Sequence, residues 1–158
     1  MKVAIASDHA GYLLKEEIKK HLQNNYDVID FGTNSTESVD YPDFAKQVAK
    51  YVQNNDSLGI LVCYTGVGMS ITANKYHGVR AALVFNEANA MLAREHNNAN
   101  IICLGSKDVT VSNAIKYVDI FLTTAFAGGR RSYWSARPAP PAYASAHSDS
   151  SDRRRSRG

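Results

Sequence analysis

A chain of 158 residues, 44% hydrophobic and 21% charged, has the composition of one globular domain and excludes a fibrous or wholly disordered protein. No apolar run approaches the ~20 residues that a membrane-spanning helix needs, and the chain runs straight into a predicted strand, so no signal peptide is expected. The net charge of +3 is uneven: from Arg130 onward seven arginines face two aspartates, a net +5, which leaves −2 on the residues before it. The basic balance therefore belongs to the tail. It gives no ground for a nucleic-acid-binding face, and neither nucleic acid nor membrane is an expected partner. Cys63 and Cys103 each lie at the end of an apolar strand-like run, which is not a disulfide framework and points to a reducing cytoplasm.

Lys2 to Ser7 reads as the first strand and Asp8-His9-Ala10-Gly11 as a polar turn. Tyr12 to Asn24 follows as an amphipathic helix, with Leu14, Ile18 and Leu22 spaced by four. Asp27 to Phe31 is a second short strand, and Gly32 to Asp40 is a loop. Asp40-Tyr41-Pro42-Asp43 begins a helix with proline near its first turn and Phe44, Val48 and Val52 on its inward stripe. Leu58 to Val62 is a buried strand, Thr65-Gly66-Val67-Gly68 interrupts it, and Met69 to Tyr76 reads as helix. Val79 to Phe85 is the fourth strand, and Asn86 to His96 a helix with Ala88, Met91 and Leu92 inward. Asn100 to Leu104 is the fifth strand, and Val109 to Phe126 a last helix carrying Ala114, Val118, Phe121 and Leu122.

This alternation predicts an α/β fold: a three-layer αβα sandwich around a five-stranded, parallel, Rossmann-like sheet, with ligands beyond the carboxyl ends of the strands. The domain is expected to span 1–131 and an atypical tail 132–158. Arg137 to Gly158 is rich in Pro, Ala, Ser and Arg and offers too little apolar surface to offset its ordering entropy, so it is predicted to be disordered.

The stretch from Leu58 to Ser70 organises the rest. A strand, a glycine loop and a helix in succession present backbone N–H groups to an anion. Cys63 sits just before those donors, in the field of a helix start, a setting that suits a reactive base. Each residue type also has a plain structural use. Asp8 suits a helix cap, Cys63 a small core residue, Gly66 and Gly68 close packing of helix on sheet, and His96 the negative end of a helix. Cys103 reads as an inert core cysteine, and His21 and His77 as surface residues without partners. The functional signal is joint: Asp8-His9, Cys63 to Gly68 and His96-Asn97 are expected to converge on one rim, with Arg130 as a fourth polar cluster. With no CxxC and no HxxxH spacing, no metal is expected, and no cofactor.

Ala6-Ser7-Asp8-His9-Ala10-Gly11, Asp40-Tyr41-Pro42, Cys63-Tyr64-Thr65-Gly66-Val67-Gly68-Met69-Ser70 with Ala73-Asn74-Lys75, Glu95-His96-Asn97-Asn98-Ala99-Asn100, and Gly128-Gly129-Arg130 together resemble the type B ribose-5-phosphate isomerases. That family also contains the galactose-6-phosphate isomerase subunits. The resemblance covers about residues 1–131. It implies an aldose-ketose isomerase that interconverts ribose 5-phosphate and ribulose 5-phosphate through an enediolate. It also implies a homodimer or homotetramer with shared active sites. The catalytic residues it implies are Cys63 as the base, His96 as the ring-opening acid, Asp8 and Thr65. It assigns sugar and phosphate contacts to Asp8, His9, Tyr41, Asn97, Lys107 and Arg130. The loop holding the enediolate would be Tyr64, Thr65, Gly66, Val67 and Gly68. A hexose 6-phosphate isomerase and a non-catalytic sugar-phosphate binding module are the rival readings.

Three positions depart from the family pattern. Tyr64 stands where glycine usually follows the cysteine, and Lys107 where arginine often follows Gly-Ser, which keeps the charge but loses the two-pronged grip. Beyond Arg130 the usual second arginine is replaced by Trp134, and Pro138, Pro140 and Pro141 oppose a long final helix, the pattern that a frameshifted end would leave. Arg131 or Arg137 is the expected substitute, and weakened phosphate binding the expected consequence.

Overall fold

The computed structural model describes residues 1–130; the tail predicted over 132–158, with Arg131, Trp134 and Arg137, lies outside the described residues. In chain order the elements are β1 (Lys2–Ser7), α1 (Tyr12–Leu22), β2 (Asp27–Asp30), α2 (Tyr41–Asn54), β3 (Leu58–Cys63), α3 (Val67–Ala73), β4 (Ala81–Leu83), α4 (Glu87–Glu95), β5 (Ile101–Gly105) and α5 (Val111–Thr123). The strands form one parallel sheet in the order β2-β1-β3-β5-β4. The predicted fold class stands.

Strand alternation divides the core into two layers. Val3 and Ile5 of β1 point into a cluster with Leu14, Ile18, Val118 and Phe121, which belong to α1 and α5. Ala4 and Ala6 point the other way, to Val48 and Val52 of α2 and Met69 of α3. Helices α1, α4 and α5 thus cover one face and α2 and α3 the other. The chain leaves β1 in one direction to form β2 and returns past it to form β3, so β1 and β3 flank the reversal point where such sheets open a crevice.

Several boundaries differ from the predicted ones for local reasons. Helix α3 begins at Val67 rather than Met69, because Gly66 precedes it with a left-handed φ of 77°. Strand β4 is shorter than predicted: Arg80 N and Phe85 N, on either side of it, donate to the side chains of Asn100 and Asn89, and within it a side chain lines the free edge. The Asn74 amide receives Ala81 N–H and donates to Ala81 O, both at 2.8 Å, as a neighbouring strand would. On α4 the inward residues are Ala90 and Ala93, not Ala88, Met91 and Leu92; Met91 and Leu92 are 41% and 37% exposed. Small alanines let α4 sit close to its neighbours, and the larger side chains are turned out beside the edge strand. His21 is not without a partner: its Nε2 lies 2.9 Å from Asp119 Oδ1, which ties α1 to α5. Among the described residues no helix is long and apolar enough to cross a membrane.

Candidate active site

At the carboxyl edge of the sheet, β3 ends in Cys63, which is 4% exposed. Its Sγ accepts a hydrogen bond from Gly66 N at 3.1 Å, so the sulfur points at the glycine loop although the residue packs with the α2–α3 layer. A Cβ at Gly66 would lie 2.6 Å from Leu83 Cδ1 and 3.0 Å from the Leu104 carbonyl carbon. Its left-handed φ adds a second reason why glycine is needed there. The first helical bond of α3 runs from Ser70 N to Gly66 O, so the N–H groups of Val67, Gly68 and Met69 have no acceptor within the helix. Val67 N turns to Thr65 Oγ1 at 3.3 Å. Tyr41, at the start of α2, lays its ring against Gly68, where a Cβ would come within 2.7 Å of it. This builds the expected cradle of main-chain donors beside a sulfur.

Asp8 and His9 reach the same edge from β1. Asp8 is 7% exposed; its N–H donates to Val62 O at 3.2 Å, and its Oδ1 accepts from Gly11 N at 3.0 Å. Asp8 thus closes the turn that leads into α1 rather than capping the helix, whose N-cap, Gly11, has no side-chain cap bond. His9 Nδ1 accepts from Val39 N at 3.2 Å, which leaves Nε2 as the N–H donor of the neutral ring. From β5, Ser106 Oγ donates to Ala10 O at 2.9 Å, and Lys107 N donates to Tyr64 O at 2.9 Å. Asp8, His9, Tyr41, Cys63, Tyr64, Thr65, Gly66, Val67, Gly68 and Lys107 thus share one edge.

His96, Asn97 and Arg130 do not join them within one chain. Cys63 pairs in register with Gly105 at the carboxyl end of β5, whereas His96 and Asn97 precede Ile101 at its amino end. The strand between those levels is about 13 Å long. The expected convergence of His96-Asn97 with the other clusters on one rim is corrected accordingly. The reason is general: the helix of a βα unit runs against the strands, so its carboxyl end falls at their amino edge. The predicted alternation already carried that signal. Ala127 N donates to Glu95 O at 3.0 Å, which pins the segment leading to Arg130 at the same amino edge.

The loop carrying His96 is shaped by residues that sequence reasoning did not single out. Arg94 Nη1 donates to Asn98 Oδ1 at 3.0 Å and to Ala99 O at 2.6 Å, while Arg80 Nε donates to Asn98 O at 2.7 Å. Asn98 takes a left-handed φ of 47° between them. Burial presses both guanidinium groups below their ordinary pKa, and for Arg94 the nearby Arg80 adds to it. His96 Nε2 is 3.9 Å from Glu95 Oε1, a loose contact. A cavity of about 430 Å³ beside the loop is lined by Arg80, Asn74, Asn89, Leu92 and Asn97 among others.

Behind the carboxyl edge lies an ion network that the sequence does not announce. Lys15 is fully buried and contacts Asp30 Oδ1 and Oδ2 at 2.8 and 2.7 Å; Lys19 also reaches Asp30, at 2.7 Å. Burial pulls the Asp30 carboxyl up, but the two ammonium groups and the Gly32 N–H outweigh it and hold it below its usual value. Gly32 O in turn accepts from Ser7 N, beside Asp8. Cys103 is fully buried; burial and then the neighbouring Cys63 push its thiol up, in keeping with an inert core cysteine. Among the described residues no group of three or more His, Cys, Asp or Glu side chains gathers as a metal site would.

Comparison with known proteins gives this geometry its context. A probable ribose-5-phosphate isomerase B from Mycoplasma genitalium is 52% identical over 132 residues, spanning 81% of this chain and 87% of its own. The solved ribose-5-phosphate isomerase B of Clostridium thermocellum superposes with a TM-score of 0.84 at 48% identity, covering 85% of this chain and 93% of that one. A Mycoplasma genitalium structure described as ribose-5-phosphate isomerase B with bound ribulose-5-phosphate superposes with a TM-score of 0.81 at 50% identity, over 84% of this chain and 90% of its own. Residues 3–134 match the Ribose/Galactose Isomerase family, and the chain belongs to that family.

Proposed function

We propose that the protein interconverts ribose 5-phosphate and ribulose 5-phosphate, with the Cys63 thiolate as the base that removes the proton from C2. The electron pair released from the C2–H bond forms the C1–C2 double bond, and the carbonyl oxygen at C1 takes the negative charge. The N–H groups at the start of α3, which have no acceptor within the helix, would stabilise that charge, and such preorganised donors are worth about 3–4 kcal/mol each where measured. Transfer of the C2 hydroxyl proton to the C1 oxygen and return of the abstracted proton from Cys63 to C1 give the ketose. Asp8 orients a sugar hydroxyl, and the Nε2–H of His9, Lys107 and Arg130 serve the phosphate, whose remote binding energy aligns the reacting carbons.

The same reading requires a second copy of the chain. His96, the acid for opening the furanose ring, lies with Asn97 and Arg130 at the amino edge, so a partner's amino edge must meet this carboxyl edge. An apolar face suits that contact: Val67, Ile71, Phe85, Met91 and Leu92 are all exposed on the elements flanking edge strand β4. A two-fold homodimer would complete both sites at once, and a homotetramer would be a pair of such dimers. The two free, buried cysteines fit a cytoplasmic protein.

The observation that carries the proposal is the Cys63 sulfur held at a loop of main-chain donors, in a chain so like one described with bound ribulose 5-phosphate. Coupled assays with ribose 5-phosphate, allose 6-phosphate and galactose 6-phosphate test it. Turnover of ribose 5-phosphate that collapses in Cys63→Ala is expected. Turnover of the hexose phosphates alone would replace the pentose reading, and full activity in Cys63→Ala would remove the base.

A further inference from the structure

The geometry points to Tyr64 and Lys107 as one unit, in which the Tyr64 ring positions the Lys107 ammonium at the mouth of the Cys63 site as a grip for the substrate's phosphate. The inference rests on the isomerase reading above for the identity of the substrate, but not for the coupling itself. The two residues follow directly on the paired ends of β3 and β5, where Cys63 stands opposite Gly105. The pairing continues beyond the strands: Ser106 N donates to Cys63 O and Lys107 N donates to Tyr64 O, each at 2.9 Å. The backbones are thus zipped together, and the side chains have little choice but to meet. Lys107 Nζ lies 5.8 Å from the Tyr64 ring centroid, within the range where a ring face attracts a cation.

Two further observations aim the pair at an anion. Lys107 makes no ion pair among the described residues, so its charge is not already matched by a carboxylate. Tyr64 is 55% exposed, directly after a cysteine that is 4% exposed, so the ring stands at the rim of the crevice rather than in the core. A lysine alone is a flexible point charge and loses more freedom than an arginine when it takes a ligand. A ring beneath the ammonium removes part of that cost before the ligand arrives. Tyr64 is therefore a positioning residue that acts through Lys107.

A double-mutant cycle tests the unit, with Tyr64→Leu, Lys107→Met and both together, and with Tyr64→Trp as the variant that keeps a ring. The readouts are KM and kcat for ribose 5-phosphate and the calorimetric Kd for inorganic phosphate, on the full chain. Lys107→Met is expected to weaken phosphate about tenfold. Tyr64→Leu is expected to weaken it about two- to fivefold, in KM rather than kcat, and to have no effect once Lys107 is gone. Tyr64→Trp is expected to retain wild-type affinity. Equal cost of Tyr64→Leu with and without Lys107, or a loss confined to kcat, overturns the unit. If the wild type turns over ribose 5-phosphate but shows no coupling, the unit fails alone. If it shows coupling in phosphate Kd but no turnover, the isomerase reading fails and the unit stands.

Discussion

At the carboxyl edge, Cys63, Asp8 and His9 are held by main-chain hydrogen bonds from Gly66, Gly11 and Val39. At the amino edge, His96 and Asn97 ride on a loop whose shape depends on the side chains of Arg94 and Arg80. The first half is stiff because the backbone itself makes it, and it tolerates no Cβ at Gly66. The second half is adjustable and rests on two half-buried charges that one substitution can remove. One chain thus holds two unlike clusters on opposite edges of its sheet, which the proposed dimer would bring together.

The largest expected effect comes from breaking the stiff half chemically. Cys63→Ala should lower kcat for ribose 5-phosphate about 10³-fold, the middle of the range for a lost general base, with the fold intact by circular dichroism. A loss below tenfold would remove sulfur from the mechanism. Breaking its scaffold comes next. Lys15→Met would leave the Asp30 carboxylate short of one of its two cations and is expected to cost about 3 kcal/mol in denaturant unfolding.

Breaking the adjustable half is milder. Arg94→Met leaves the Ala99 carbonyl and the Asn98 side chain unpaired and is expected to cost about 2 kcal/mol. Turnover of cyclic substrate should fall more than that of an open-chain analogue, because His96 is displaced while Cys63 is not; equal falls for both would dissociate Arg94 from His96.

Mixing the two broken halves sharpens the comparison. Cys63→Ala and His96→Ala subunits, unfolded and refolded together, should recover about a quarter of wild-type activity, since half the random dimers carry one intact site of two. No recovery would mean that each chain works alone.

The smallest effect is the response to acid. The Asp30 carboxyl is held below its ordinary 3.8, so its contribution to stability is complete above that value and is lost as pH falls toward its lower folded value. Removing it, in Asp30→Asn, should flatten the acid limb of the stability curve measured by urea unfolding; an unchanged limb would place the sensitivity elsewhere.

Much of the carboxyl-edge half was legible before any coordinates, because its signals are contiguous. Apolar runs ending in Ser7 and Cys63, followed by a turn or a glycine loop, mark strand ends by local chemistry alone. The inward stripe of α4 differs from the expected Ala88, Met91 and Leu92. Ala90 and Ala93 face the core since close helix packing favours small residues, and Met91 and Leu92 are left for another surface. Lys15 gave no warning either: a lysine on an amphipathic helix reads as solvated, and its partner Asp30 sits 15 residues away on another element.

Alternation of strand and helix, the parallel sheet, the cysteine beside its glycine loop and the family itself follow from the amino-acid order, because periodicity and turn chemistry act over a few residues. Which strand lies outermost and which charges are buried follow from tertiary structure alone. The strand order β2-β1-β3-β5-β4 is set by long-range pairing and packing. That order leaves β4 and its apolar neighbours at the rim, whereas His96 falls at the amino edge, opposite to Cys63, because α4 runs against the strands, a consequence the alternation of strand and helix already implies.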